Sequence, residues 1–267
     1  MINTKIKGNI KNRRELERIV QNNTVLHSYL FLGENGIGKK EIAREFAKQI
    51  LCLTHKNECD CKSCICFETD NHPDFQLIND EGDTIKISTI REMIATVYEK
   101  PILSDKKIYI INDADKMTKE AQNSLLKTLE EPPEYTIIIL IASNTDMLLN
   151  TIKSRCTKII FEKLTTQELK EALESKINLD ANISEKMFEF FDGSVGKALK
   201  ILEKKEIYDA LDKFIETIEK TNKIDFLTKT KEIFDKEEIY GMLEYCMEAL
   251  IKWNPLYLIK VYWKKRK

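Results

Sequence analysis

Apolar positions along the chain follow two periods. Five short runs read as strands: SYLFL from Ser28, Phe75–Ile78, Ile108–Ile111, Ile137–Ala142 and Lys158–Phe161. The stretches between them repeat at helical spacing. One polar, basic stretch over residues 1–23 places Leu16, Ile19 and Val20 inward and leaves Arg13, Arg14 and Arg18 in water. A second puts Ile42, Ala43, Phe46, Ala47, Ile50 and Leu51 on one stripe. A third, with Ser88 as N-cap, aligns Ile90, Met93, Ile94 and Val97. A fourth, capped by Thr118, aligns Ala121, Leu125, Leu126 and Leu129, and stops at Pro132 and Pro133. Glu130 and Glu131 end that helix, where its dipole disfavours acids. The Ile137–Ala142 run is β-branched and unbroken, as a central parallel strand requires.

This alternation predicts an α/β fold: a parallel five-stranded sheet with helices on both faces. Beyond it the pattern is helical. The expected layout is a sheet domain over 1–163, a small all-α unit over 164–205 with Thr165 or Thr166 as its first cap, and an all-α segment over 206–267. Pro255 interrupts the last segment, which ends in aromatic and basic residues, Tyr262 to Lys267.

Charge narrows the function classes. The chain has 267 residues, 33% of them charged, and a formal net charge of -1. No global basic excess is present to hold nucleic acid unaided, so DNA contact would come through local patches or partners. Neither a signal peptide nor a bilayer-length apolar run is seen, which leads us to expect a cytoplasmic protein with no membrane contact.

The first strand runs into GENGIGKK, residues 33–40, and then a helix. Strand, glycine loop and helix together make a phosphate-binding loop. Gly33, Gly36 and Gly38 let backbone N–H groups converge, and Lys39 reaches toward terminal phosphates. Lys40 stands where a serine or threonine hydroxyl ordinarily meets Mg²⁺, and a lysine cannot ligate a cation. Three readings stand: an active site, a phosphate-binding site that hydrolyses poorly, and a turn whose glycines are kept for geometry. After Ile108–Ile111 come Asn112 and Asp113, where a nucleotide-hydrolysing chain carries an Asp and a Glu. Asp113 and Asp115 form either a carboxylate pair for a metal or exposed acids at a strand end. Asn144, just beyond Ala142, either orients water or phosphate or makes a turn.

Five cysteines cluster: Cys52, Cys59, Cys61, Cys64 and Cys66. In a reducing compartment such spacing points to structural zinc, with Zn–S bonds of ~2.3 Å. We assign Cys52, Cys59, Cys61 and Cys64 as ligands within a module over 52–66, with Cys66 free and His55 in reserve. The bland alternative is reduced thiols that bind nothing. Ser154-Arg155-Cys156 precedes the last strand.

These stretches together resemble the clamp-loader subunits of bacterial DNA polymerase III, the delta-prime type with its gamma and tau relatives. The resemblance is carried by HSYLFLG from His27, the cysteines leading to His72-Pro-Asp-Phe, AQNSLLKTLEEPP from Ala121, and Ser154-Arg-Cys156. It implies a P-loop NTPase-like AAA+ domain, a helical lid and a helical collar in a hetero-pentamer with gamma/tau and delta subunits. It also implies zinc held by four cysteines, and an arginine, here Arg155, that reaches ATP on a neighbouring subunit. Active gamma-type subunits carry Ser or Thr at the place of Lys40, Asp-Glu at Asn112-Asp113, and an arginine where Gly196 stands. The resemblance therefore implies a delta-prime-like member that does not hydrolyse ATP/Mg²⁺ itself. Such a subunit braces the ring and lends Arg155 during loading of the sliding clamp on primer-template DNA. Two other readings are a gamma-type ATPase, using Asp113 or Asp115 in place of the missing acids, and a zinc-dependent nucleic-acid binding module.

Overall fold

A computed structural model describes residues 6–54, 59–79, 83–176 and 183–203. The 206–267 segment, His55 and Cys246 lie outside the described residues. The chain divides into two compact units, Met1–Ser175 and Lys176–Lys267.

The first unit contains α1 (Ile10–Gln21), β1 (Ser28–Leu32), α2 (Lys39–Leu51), α3 (Lys62–Glu68), β2 (Phe75–Ile78), α4 (Ile87–Val97) and β3 (Lys107–Ile111). It continues with α5 (Lys119–Glu130), β4 (Thr136–Ala142), α6 (Asn150–Lys153), β5 (Thr157–Ile160) and α7 (Thr166–Glu174). Thus α7, which the periodicity groups with 164–205, falls in the first unit. The strands form one sheet in the order β2-β3-β4-β1-β5, and every ladder is parallel. All seven residues of β4 are buried, as are all five of β3. β4 therefore sits between β3 and β1 with both faces covered, which accounts for its continuous run of branched apolar residues.

Because all strands are parallel, their C-terminal ends share one edge of the sheet. The loops after β1, β3 and β4 gather there, at the place where α/β proteins build sites. The other edge carries the strand starts, including Ser28 and Thr157.

Helix α1 is shorter than its polar stretch, and Asn9 precedes it in the left-handed region. Its asparagines have a task at the sheet border. Asn12 Nδ2 donates to Ile160 O at 2.7 Å, Asn9 Nδ2 donates to Glu162 O at 2.9 Å, and Glu162 N donates to Asn9 Oδ1 at 2.9 Å. These side chains satisfy the outer edge of β5 that would otherwise template another strand. Arg13 is partly buried rather than wet, and burial lowers its pKa. Ser88 is not the cap of α4, because the helix already starts at Ile87 behind Lys86. Thr118 does cap α5, accepting from Ala121 N, and Thr165 makes a full capping box with Glu168 at α7.

In the second unit the described residues hold α8 (Glu185–Phe191) and α9 (Val195–Leu202), capped by Ser184 and Ser194. Their apolar face includes Met187, Phe190, Phe191, Ala198 and Ile201.

A buried carboxylate organises the first unit near β2. Asp74 is fully buried. Its Oδ1 accepts from Ile102 N at 2.6 Å, and its Oδ2 accepts from Leu103 N at 2.7 Å and Ser104 N at 2.8 Å. Asp74→Asn places an NH₂ donor against these donors. We expect a loss of about 3 kcal/mol or more, since each hydrogen bond to a carboxylate contributes about 1.5–3 kcal/mol. Urea unfolding of the variant against the parent chain measures it.

Candidate phosphate loop, metal centre and surface arginine

The loop after β1 folds as its glycines require. A Cβ on Gly33 would lie 2.7 Å from Phe161 O, just beyond the end of β5. Gly38 has open space around it, but φ is +91°, a region L side chains rarely adopt. The first glycine is thus needed for close backbone approach and the last for backbone conformation. Gly36 also has positive φ.

Lys39 begins α2 and is buried. Its ammonium donates to Gly33 O and Glu34 O, both at 2.6 Å, and to Ser143 Oγ at 3.2 Å. Three protons meet three acceptors, two of them in its own loop. Burial pulls its pKa down to about 8, against the opposing pull of Asp113, Asp115 and Glu34. Reaching a phosphate means exchanging at least one of these bonds.

The acidic side of the site is paired within the chain except at Asp115 Oδ1, which is buried without a hydrogen-bond partner. Asn112 Nδ2 donates to Asn79 O at 3.3 Å, and Asn79 Nδ2 donates to Asn112 O at 3.2 Å, which ties the ends of β2 and β3. Asp113 pairs with Lys116 at 3.1 Å. Asp115 is half-buried rather than exposed, and its Oδ2 accepts from Asn144 N at 2.9 Å. Asn144 Oδ1 accepts from Asp146 N at 2.9 Å, so Asn144 serves as a turn residue. Lys40 and Asn112 offer Mg²⁺ no anionic ligand, while Asp115 Oδ1 is buried without a hydrogen-bond partner.

The cysteines converge. The Sγ atoms of Cys52, Cys59, Cys61 and Cys64 all lie within 4.8 Å of one another, a group that could hold a metal ion. Cys66 lies outside that group. A tetrahedral ion with bonds of ~2.3 Å needs sulfurs roughly 3.8 Å apart, so the thiols need only close slightly. Cys52 follows α2, Cys61 is the N-cap of α3, and Cys64 lies in the first turn of α3. Donors already face the sulfurs: Cys61 N donates to Cys59 Sγ at 3.2 Å, and Thr54 Oγ1 lies 2.9 Å from Cys59 Sγ. Burial would raise the Cys61 thiol, but the backbone of Cys64 and Leu53 and the thiols of Cys59 and Cys64 outweigh it and bring it to about 6. Cys64 is pushed up by burial and then by Cys52 and Cys61. Four thiols this close do not all ionise without a cation between them.

His72 is buried and is not in that group. Its Nδ1 accepts from Asp74 N at 3.0 Å, and its Nε2 lies 2.9 Å from Ser63 Oγ. Ser63 Oγ donates to Leu51 O at 2.7 Å, and so does Ser104 Oγ at 2.8 Å. The network closes with the proton on Nε2. Leu51 and Ser63 adjoin Cys52 and Cys64, so this network anchors the cysteine module to the loop after α4. The sequence reading missed Ser63, Ser104 and Gln122. Gln122 is buried, donates to Met147 O at 2.9 Å, and accepts from Leu149 N at 2.8 Å. A polar residue three and seven positions before Leu125 and Leu129, on their stripe, was the available signal.

Arg155 stands at the strand-start edge. Ser28 Oγ, on the first residue of β1, donates to Arg155 O at 2.6 Å. The phosphate loop follows the other end of β1, roughly 15 Å of strand away. The geometry therefore separates Arg155 from its own chain's phosphate loop.

A family model described as "DNA polymerase III, delta subunit" matches residues 8–165. The chain belongs to this DNA polymerase III subunit family. It is 38% identical over 156 residues to "DNA polymerase III subunit delta'" of Bacillus subtilis (strain 168), covering 58% of this chain and 47% of the relative. It is 35% identical over 137 residues to the subunit delta' of Pseudomonas aeruginosa, covering 49% and 42%. It is also 30% identical over 217 residues to the subunit gamma/tau of Mycoplasma genitalium, covering 78% and 36%. Each match spans less than half of the relative's own length. Relatives of both kinds match, so overall identity does not separate delta-prime from gamma/tau. Among the described residues no helix is long and apolar enough to cross a membrane.

His72 supplies a pH test of the polar network. Burial, opposed by Asp74, lowers its pKa below the ordinary 6.5. The unfolded chain therefore binds this proton first, and stability falls as pH drops below about 6.5, by at most ~1.4 kcal/mol per pH unit. Urea unfolding from about pH 7 to pH 5 should show that slope reduced in His72→Gln. An identical slope in both chains counts against the assignment.

Proposed function

We propose that this chain is a clamp-loader subunit of the delta-prime type, non-hydrolysing, which gives Arg155 in trans to ATP on a neighbouring gamma/tau subunit. The observation that carries the reading is the placement of Arg155 at the sheet edge opposite its own phosphate loop. An arginine so placed is remote from its own loop, which supports a role toward phosphates on another molecule. The local chemistry agrees. Lys39 is bonded within its own loop, Lys40 cannot hold a cation, and Asn112 is spent on the β2–β3 tie. The setting proposed with it is a hetero-pentamer with gamma/tau and delta subunits, acting with the sliding clamp on primed DNA in the cytoplasm. In that setting residues 1–163 form the AAA+ domain, 164–205 the lid and 206–267 the collar.

In this reading the planar guanidinium of Arg155 neutralises charge on the neighbour's transferring phosphoryl group, for which its fork geometry suits it. The Gly33–Lys39 loop acts as a structural turn. Zinc on Cys52, Cys59, Cys61 and Cys64 would cross-link the end of α2 to the start of α3 and take part in no reaction step.

Two measurements test this. In a reconstituted loader whose other ATP sites are silenced, Arg155→Ala should slow turnover at the remaining interface by about 10³–10⁵ while its own unfolding midpoint stays put. Unchanged turnover removes the trans-arginine reading. Steady ATP hydrolysis by the purified chain, abolished by Lys39→Ala, points instead to a gamma-type ATPase. Elemental analysis of protein purified without chelator should find about one zinc per chain, lost in Cys61→Ser. Metal-free protein with an intact fold overturns the zinc assignment.

A further inference from the structure

We propose that Glu130 is a positioning residue that stores Arg155. In the unassembled chain its carboxylate pairs with Nη2 of the guanidinium, for which the neighbour's phosphates compete on assembly. The inference rests on the reading of Arg155 given above.

Both terminal nitrogens of Arg155 are engaged within the chain. Nη2 forms an ion pair with Glu130, and Nη1 donates to Thr151 O at 2.9 Å, in the short helix α6. A guanidinium binds phosphate through two parallel N–H groups on one edge. With Nη1 on Thr151 and Nη2 on Glu130, each terminal nitrogen spends a donor inside the chain, and an incoming phosphate meets a carboxylate already paired with Nη2. Docking a phosphate on Nη2 therefore competes with Glu130 for the guanidinium.

The position of Glu130 explains why it holds a cation. It is the last residue of α5, where unsatisfied carbonyls make the helix end negative. An acid there is unfavourable unless a positive charge sits against it. The guanidinium of Arg155 fills that need, so an apparent error in the charge pattern of the helix becomes a docking point for the arginine.

The pair is also built to be exchanged. The side chains are 32% exposed for Arg155 and 46% for Glu130, so water and an incoming anion reach both. Exposed ion pairs are weak. A triphosphate has greater charge and more acceptor oxygens than one carboxylate, so it wins the guanidinium once a neighbour presents it. Until then Glu130 keeps the long side chain in one orientation.

Removing the stored contact should make the neighbour's ATP bind more readily without altering the chemical step. In the reconstituted loader, with this interface alone active, Glu130→Gln should lower KM for ATP about two- to fivefold, the size of an exposed ion pair. kcat should stay unchanged. Glu130→Ala should do the same. Glu131→Gln removes equal charge one residue on and should leave KM alone, which separates the specific contact from a general field. In the Arg155→Ala background Glu130→Gln should have no effect. Full turnover by Arg155→Ala sinks the underlying trans-arginine reading. Slowed turnover by Arg155→Ala overturns the storage role alone if Glu130→Gln leaves KM unmoved, if it lowers kcat, or if Glu131→Gln matches it.

Discussion

The parallel pairing of β1 between β4 and β5 is the constraint on which the rest of this unit depends. Ser28 lies opposite Ile138, and Tyr29 opposite Thr157. With β2, β3 and β4 also joined by parallel ladders, every strand runs the same way. That shared direction collects the glycine loop, Asn112, Asp115 and Asn144 at one edge of the sheet and leaves Arg155 at the other. A single antiparallel strand at β5 would put the residue before it beside the phosphate loop. The proposed role of Arg155 toward a second molecule is thus a consequence of strand direction.

The same frame gives the glycine loop structural reasons of its own. Gly33 is required where the chain passes the backbone of Phe161, and Gly38 where the backbone is left-handed. Neither requirement involves a nucleotide. Lys39 finds its three acceptors within the protein. Asn112, in place of an acid, joins two strand ends with an amide that both donates and leaves no charge to neutralise. The loop is therefore held by packing and hydrogen bonding that do not call for Mg²⁺.

The cysteine module is connected to this frame through polar groups that are completely paired. Leu51 O receives two hydroxyl donors, His72 bridges Ser63 to Asp74, and Asp74 receives three backbone N–H groups. Buried groups of this kind are costly if any partner is lost. The module is held in place by the sheet domain, and a bound ion would add to an anchor that already exists.

Much of this was legible in the residues themselves. Strand runs, the α2 stripe, the Thr118 cap and the proline stop after α5 depend on local periodicity and local sterics, which a sequence displays directly. The glycine loop and the cysteine spacing are local too, so their chemistry could be named before any geometry. What the sequence could not decide was long-range. Asp74 has no local signal of burial, yet its donors come from residues 102–104. Ser88 has the chemistry of a cap but lies inside α4. Glu130 reads as a misplaced charge until Arg155 arrives beside it. Such pairings depend on which segments the sheet brings together, a property of the whole packing arrangement that no single stretch of chain contains.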